Sequence, residues 1–177
     1  MQKAKRPLII AGYGIRLSKQ EKVFYKLIEK LKVPVVTTFN GFDILPSDDK
    51  YFSGRIGTVG QRAGNFALQN ADLILCLGTR NNVRQVSYNW ENFAKNAFKI
   101  VVDIDGAELK KPLIKPDLAI NADLKDFLPA LLNVVCSSAS KLQNFLASDS
   151  SWLSFCKDIQ TKYSFENTPE YQKKVKQ

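Results

Sequence analysis

Three short segments that follow directly after apolar runs carry the side chains best suited to ligand chemistry. Gly12-Tyr13-Gly14 follows the run 7–11, Gly78-Thr79-Arg80-Asn81-Asn82-Val83-Arg84 follows the run 73–77, and Asp103-Ile104-Asp105 follows the run 99–102. Glycines let a backbone approach a ligand closely, arginines form paired hydrogen bonds with phosphate or carboxylate, and aspartate accepts hydrogen bonds from ribose hydroxyls. These residue types suit a nucleotide, provided that the fold brings the three segments together.

Each segment also has a structural interpretation that the sequence leaves open. The two glycines of the first segment suit a tight turn, the two arginines suit ion pairs at the surface, and Asp103 can cap the turn that follows it. A dinucleotide fingerprint needs a third glycine at position 17, where the chain has Leu17, and an acid after the second strand, where it has Thr37 and Thr38. The sequence therefore does not favour NAD.

Composition excludes several other kinds of chemistry. The 177 residues include no histidine and only three scattered cysteines, so we expect neither imidazole catalysis nor a metal site, and no catalytic residue. The formal net charge of +9 is spread along the chain, which predicts a solvated surface rather than nucleic-acid binding. No apolar run approaches about 20 residues, so we expect no membrane span. The cysteine usage favours a cytoplasmic protein, with Cys76 as a small core residue.

Alternating strands and helices must position the three segments. The apolar runs predict strands at 7–11, 33–37, 73–77, 99–102 and 118–120. Continuous apolar strands that alternate with amphipathic helices are typical of a parallel sheet covered on both faces. The prediction is an α/β fold, a Rossmann-like doubly wound parallel sheet of five to six strands with helices on both faces, in which Ile74 and Val101 are buried.

The helices and loops are predicted less sharply than the strands. Helical spacing of apolar residues follows Ser18, a plausible N-cap, and recurs over 62–69, around 90–96 and over 124–135. In the last of these, Asp123 is a candidate cap, and Pro129 predicts either a start near residue 126 or a kink. Residues 40–59 are expected to form a long loop, and long loops are often functional.

The chain divides near residue 136. Residues 1–135 are predicted to form the α/β domain and residues 136–177 a linker or tail, because Ser137, Ser138 and Ser140 interrupt the pattern there. In the tail, Trp152, Phe155, Ile159 and Tyr163 can share one helical face, so the tail lies against the domain or reaches for a neighbour. The serine-rich break predicts that residues up to about 140 fold without the tail.

Five segments taken together resemble the central domain of thiamine-diphosphate-dependent enzymes of the acetolactate-synthase-like family. The likeness extends from about residue 6 to residue 134. The segments are Gly12-Tyr13-Gly14, Gly54-Arg55-Ile56-Gly57-Thr58-Val59-Gly60, Asn65-Phe66-Ala67, Asn70-Ala71-Asp72-Leu73-Ile74-Leu75-Cys76-Leu77-Gly78-Thr79-Arg80 and Lys99-Ile100-Val101-Val102-Asp103-Ile104-Asp105-Gly106-Ala107-Glu108-Leu109.

The resemblance implies a parent enzyme whose activity this chain does not carry alone. In that family, two outer domains bind thiamine diphosphate and Mg²⁺, and the diphosphate-binding domain has a Gly-Asp-Gly motif that is missing here. The implied parent is a 2-keto acid carboligase or decarboxylase, a transferase or lyase that forms a homo-oligomer. This chain would be its central structural domain, its partners the flanking domains, and its tail the stretch toward the diphosphate-binding domain. The alternative is a free-standing nucleotide-binding or interaction module.

The same resemblance implies a nucleotide site in this domain, since flavin-containing members hold FAD or an adenine nucleotide there. Asn82 and Val83 stand where the acetolactate synthase pattern has acids, so we expect FAD to bind weakly or not at all and ADP to remain a candidate. The implied contacts fall on Gly12, Tyr13, Gly14, Gly78, Thr79, Arg80, Asn82, Arg84, Asp103, Ile104 and Asp123.

Overall fold

A six-stranded sheet organises the chain in the computed structural model, which describes residues 4–112, 114–137, 150–164 and 167. The expected breaks at Ser138 and Ser140 lie outside these ranges. All the strand pairings are parallel, which confirms the predicted fold class. The strands are β1 (Pro7–Ala11), β2 (Val35–Thr37), β3 (Phe52–Arg55), β4 (Leu73–Leu77), β5 (Phe98–Asp103) and β6 (Leu118–Asn121).

The strand order is β3-β2-β1-β4-β5-β6, so the chain reverses direction across the sheet between β1 and β4. On β1, Ile9 pairs with Val35 of β2 on one side and with Leu75 of β4 on the other. In open α/β sheets, such a reversal opens a crevice at the carboxyl ends of the central strands, where ligands bind. The sequence segments after β1, β4 and β5 therefore meet at one edge.

Helices cover both faces of the sheet. They are α1 (Gly14–Leu17), α2 (Glu21–Leu31), α3 (Arg62–Asn70), α4 (Val83–Val86), α5 (Gly106–Leu109), α6 (Leu124–Ser137) and a tail helix (Ser150–Lys162). None of these helices is long and apolar enough to cross a bilayer.

Alternation along β1 divides the core into two layers, because successive side chains of a strand point to opposite faces. Leu8 and Ile10 pack with the cluster that contains Ala67 of α3 and Trp152 of the tail helix. Ile9 packs on the other face, in the cluster that contains α2 and α6 residues such as Phe24, Leu27 and Leu128. Ile74 and Val101 are both buried, as their continuous apolar runs predict.

Three local predictions were wrong. The loop expected over 40–59 contains β3, a four-residue edge strand of sequence Phe-Ser-Gly-Arg that has too few apolar residues to stand out. Ser18 does not begin a helix: it ends α1, and its hydroxyl donates to the Ile15 carbonyl, while α2 begins after Gln20. The helix expected around 90–96 is a single 3₁₀ turn over Trp90–Asn92.

The last domain helix begins before its proline. α6 starts at Leu124 and contains Pro129, so of the two predicted alternatives the start near residue 126 was wrong. Asp123 sits at this start as predicted, since its Oδ1 accepts a hydrogen bond from the Lys125 N–H at 2.9 Å. This bond satisfies one of the backbone N–H groups that the first turn of a helix leaves without a partner.

The tail helix lies against the domain, which was one of the two arrangements expected for the tail. It contacts α3 and β3. Trp152 and Cys156 are buried in the core, and the Trp152 Nε1–H donates to the Pro7 carbonyl at 2.9 Å. Lys157 adds bonds from its Nζ to the carbonyls of Asp49 and Phe52. This burial does not support the expectation that residues up to about 140 fold without the tail.

Candidate functional site

A cleft of about 860 Å³ opens at the carboxyl edge of the sheet, across the reversal between β1 and β4. Segments that follow five strands, β1, β2, β4, β5 and β6, form its walls. Of the residues predicted from the sequence, all except Gly12 line it, namely Tyr13, Gly14, Gly78, Thr79, Arg80, Asn82, Arg84, Asp103, Ile104 and Asp123. The topology thus brings together residues that lie more than 100 positions apart in the sequence.

The glycines after β1 and β4 serve contact between two loops. A Cβ on Gly12 would lie 2.2 Å from the Gly78 carbonyl oxygen, and one on Gly14 would lie 2.7 Å from the Gly78 Cα. Gly78 itself has φ +58°, a left-handed conformation that favours glycine. The close contact of the two loops is therefore sufficient to explain the glycine at position 12, which does not line the cleft.

The loop after β4 is held in a strained shape by a buried polar network. Arg80 and Asn81 have φ of 54° and 43°, a left-handed pair that costs residues with a Cβ about 1–2 kcal/mol each. Asn81 is buried, and its Oδ1 accepts hydrogen bonds from the Thr79 hydroxyl and the Gln85 amide. Such strain persists only where the surroundings enforce it, and it clusters at functional sites.

Arg80 forms an ion pair with Glu108. Its Nε and Nη2 both donate to Glu108 Oε1, at 3.0 and 2.8 Å, and Lys111 contacts the other oxygen of that carboxylate. Burial by itself would raise the pKa of Glu108, but the hydrogen bonds and charges of Lys111 and Arg80 outweigh it and lower that pKa. The ion-pair interpretation of Arg80 is therefore observed, and its guanidinium is fixed on the cleft wall.

Arg84 is placed differently, although it lines the same cleft. Its Cζ lies 5.9 Å from the centre of the Phe39 ring, at the outer limit of a cation–π contact. Within the described ranges no carboxylate lies within ion-pair distance of its guanidinium, whereas Arg80 already has Glu108. Arg84 is thus the cleft arginine with its charge still available to an anionic ligand.

An acidic wall faces these arginines from the ends of β5 and β6. Asp103 is only 6% exposed, its Oδ1 accepts from the Asp105 N–H at 3.1 Å, and its buried Oδ2 has no donor among the described residues. Asp105 Oδ1 accepts from the Ala107 N–H at 2.8 Å, which caps α5. A buried acceptor without a donor is costly, so Asp103 Oδ2 is a site where a ligand hydroxyl or amine gains a hydrogen bond.

Sequence reasoning missed a second wall of the cleft. It consists of Thr38, Phe39 and Asn40, which follow β2, together with Leu17, which is 70% exposed. Thr38, Phe39 and Asn40 directly follow an apolar strand. The same signal identified the other segments, so it could also have identified these three residues. Gln85 and Glu108 were also missed, because Gln85 acts by donating to the buried Asn81 and Glu108 by pairing with an arginine of another loop.

A second cleft of about 490 Å³ adjoins the first and shares Tyr13, Phe39 and Asn40 with it. Its other lining residues come mainly from the segment around β3 and are Phe42, Arg55, Ile56, Val59 and Gly60. Phe42 and Val59 are exposed apolar side chains there. A ligand too long for the first cleft can continue into the second along a surface that is largely apolar and aromatic.

The described residues contain no group of three or more histidine, cysteine or acidic side chains placed to hold a metal ion. Cys76 lies in β4 and is buried, and burial raises the pKa of its thiol to about 12. The thiol therefore stays protonated near neutral pH, as suits a core residue. The polar and charged side chains that line the cleft can bind a ligand by hydrogen bonds and by charge.

The parallel sheet, the reversal and the cleft at its carboxyl edge define a Rossmann-like domain of the kind that binds nucleotides. Comparison with known proteins narrows this class. Residues 1–131 match the family model described as the thiamine pyrophosphate enzyme, central domain, and the chain belongs to that family.

Its relatives include large subunits of acetolactate synthase. The chain is 43% identical over 131 residues to the acetolactate synthase large subunit of Lactococcus lactis, covering 74% of this chain and 22% of that protein. It is 33% identical over 131 residues to the isozyme 2 large subunit of Escherichia coli, covering 74% and 24%. A probable acetolactate synthase large subunit of Methanococcus aeolicus is 33% identical over 153 residues, covering 85% and 25%. The chain spans about a quarter of the length of these relatives.

Proposed function

We propose that this chain is the central, non-catalytic domain of a thiamine-diphosphate-dependent 2-keto acid carboligase or decarboxylase. Membership of the central-domain family and the names of the relatives support the parent class. The absence of a Gly-Asp-Gly motif from these 177 residues supports the non-catalytic role, since that motif belongs to the diphosphate-binding domain of the family. The domain would position its neighbours rather than perform the reaction.

The parent's other properties follow as parts of this proposal. Thiamine diphosphate and Mg²⁺ would be held by flanking domains, which are the direct partners of this one, and the parent would be a cytoplasmic homo-oligomer. The tail would lead toward the next domain: its helix packs against α3 and β3, and none of its described residues lines the main cleft.

We expect no turnover by this chain supplied with pyruvate, Mg²⁺ and thiamine diphosphate, because its 177 residues contain no Gly-Asp-Gly motif to hold the diphosphate of the cofactor. The measurement is acetolactate and acetaldehyde formation over several hours, with an intact acetolactate synthase as the positive control. Product above the level of a protein-free blank would overturn the non-catalytic role.

The cleft itself we infer to be a site for an adenine nucleotide. The observation that carries this is the buried Asp103 Oδ2 without a donor, located at the carboxyl edge beside the strand reversal. A ribose hydroxyl would supply the missing donor, and Arg84 would face the phosphates. In a dinucleotide fingerprint the diphosphate lies at the start of a long helix, whose dipole attracts it. Here α1 has only four residues and a weak dipole, so the charge of Arg84 would contribute more to phosphate binding.

The residues fit both ADP and FAD, and the second cleft distinguishes the two. ADP fills the first cleft alone, whereas the remaining half of a dinucleotide would enter the aromatic surface formed by Tyr13, Phe39 and Phe42. When bound, a flavin would supply redox chemistry or serve only as structural support. Asn82 and Val83 depart from the acids of the acetolactate synthase pattern, so we expect a colourless purified protein with ADP as the better ligand.

Titration with ADP and FAD by isothermal calorimetry tests this site. We expect Arg84→Ala to weaken ADP binding about ten- to hundredfold, the range for a lost hydrogen bond to a charged group. Arg80→Ala should weaken it less, because the Arg80 guanidinium is already engaged by Glu108.

Lys26→Ala is the matched control, since it removes one positive charge from an exposed position of α2 outside both clefts. Equal ADP affinities for the wild type and the Arg84 and Arg80 variants would mean that the phosphates lie elsewhere. A tightly held yellow flavin in the purified protein would contradict the preference for ADP.

A further inference from the structure

The acidic wall of the cleft is rigid, because the backbone orients each of its three carboxylates. Asp103 Oδ1 accepts from the Asp105 N–H, Asp105 Oδ1 from the Ala107 N–H, and Asp123 Oδ1 from the Lys125 N–H. These bonds span only two residues each and belong to the starts of α5 and α6. Turning any of these carboxylates away from a ligand would therefore break the hydrogen bond that it accepts from the backbone.

Among the described residues, no cation forms an ion pair with this wall. In the ranges that the structure describes, none of the three aspartates forms an ion pair, and the nearby Arg80 is held by Glu108, whose side chain is 9% exposed and also contacts Lys111. Asp103 and Asp105 form no hydrogen bond with Arg80. Their charges raise the pKa of its guanidinium, but by less than Glu108 raises it. The ribose end of the cleft thus carries negative charge that no ion pair of the described residues offsets.

A ligand bound at this wall must supply hydrogen-bond donors and must not add negative charge. The buried Asp103 Oδ2 has an open acceptor position that a hydroxyl fills and a phosphate oxygen cannot, because both atoms would be acceptors. A phosphate there would also face three carboxylates in a partly buried cleft, where like charges repel strongly. The same wall that favours a free ribose therefore opposes a phosphorylated one.

We propose that this cleft selects nucleotides whose ribose 2′ and 3′ hydroxyls are free and rejects those that carry a phosphate on either oxygen. Asp103 is the specificity-determining residue, and Asp105 and Asp123 supply the surrounding charge. This inference rests on the proposed adenine-nucleotide function. It places the nicotinamide dinucleotide phosphate and coenzyme A classes outside the ligands of this site, since both carry a ribose phosphate.

The test compares ADP with its two derivatives that carry one additional phosphate, on the 2′ or the 3′ oxygen, by isothermal calorimetry on the 177-residue chain. We expect each derivative to bind at least tenfold more weakly than ADP. Asp103→Asn, which removes the charge and keeps the shape, should reduce this discrimination at least threefold and should also weaken ADP itself. Asp158→Asn makes the same charge change on the exposed face of the tail helix. It should leave the affinities for ADP and for the two derivatives unchanged.

The outcomes separate the two proposals. If ADP binds and the phosphorylated derivatives bind equally well or more tightly, the specificity is overturned while the nucleotide site stands. If discrimination survives in Asp103→Asn at the wild-type level, Asp103 is not its source. If ADP does not bind the wild type at all, the proposed nucleotide function fails, and the specificity fails with it.

Discussion

Replacing Trp152 by alanine is expected to lower the free energy of unfolding by about 3–5 kcal/mol, the range for truncating a buried aromatic side chain. Trp152 is 4% exposed, packs in the core layer of α3, and stacks on Phe155 with ring centres 5.7 Å apart. Its Nε1–H also satisfies the Pro7 carbonyl. The alanine variant would lose the apolar burial, leave a cavity and leave that carbonyl without its donor.

Urea unfolding followed by circular dichroism measures this loss. Trp152→Phe keeps an aromatic ring but removes the donor and part of the buried ring volume, so it should cost less than Trp152→Ala, about 1–3 kcal/mol. Ser154→Ala on an exposed position of the same helix is the control and should change stability by less than about 0.5 kcal/mol. A loss below about 1 kcal/mol for Trp152→Ala would favour the original expectation that residues up to about 140 fold alone.

Gly12→Ala is expected to lower the free energy of unfolding by more than about 4 kcal/mol. Losses of this size occur only when a substitution breaks a specific structural feature. The added Cβ would lie 2.2 Å from the Gly78 carbonyl oxygen and 2.6 Å from the Thr79 Cα, both of them backbone atoms. A flexible side chain could move aside, but here β1 and β4 themselves would have to separate, and they form the centre of the sheet. The variant should be insoluble or partly unfolded.

Gly106→Ala provides the matched comparison. An added Cβ at Gly106 would meet nothing closer than 3.5 Å, an ordinary contact with the Asn121 side chain. Because alanine restricts the unfolded chain more than glycine does, the free energy of unfolding of this variant should lie within about 1 kcal/mol of the wild-type value. If Gly12→Ala were equally well tolerated, the close approach of the two loops would be wrong.

The sheet was predictable because its central strands are continuous apolar runs. Leu73–Leu77 and Phe98–Asp103 are flanked on both sides by other strands and covered on both faces, and burial of that kind leaves a clear pattern in the sequence. β3 was not predictable in the same way, since Phe52–Arg55 is short, lies at the edge and includes a glycine and an arginine. Edge strands have a weaker requirement for apolar residues.

The position of the cleft was predictable, but the contacts among its residues were not. Strand ends in a parallel sheet meet at one edge, so the residues after β1, β4 and β5 could be grouped from the sequence alone. The Arg80–Glu108 pair joins residues 28 positions apart, and it depends on how two loops approach each other. The missing donor at Asp103 Oδ2 likewise depends on burial by several segments, which no local pattern encodes.

The bond between Trp152 and Pro7 joins residues 145 positions apart, so the first strand acquires its last partner only when the tail helix docks. On a ribosome that adds about 5–20 residues per second, roughly 7–30 s pass between the synthesis of these two residues. During that interval the amino end of β1 lacks one of its final contacts, and folding must close a very long loop before the core is complete. A nascent chain stalled before Trp152 should therefore be more sensitive to protease than the released domain, even though all six strands have already been made.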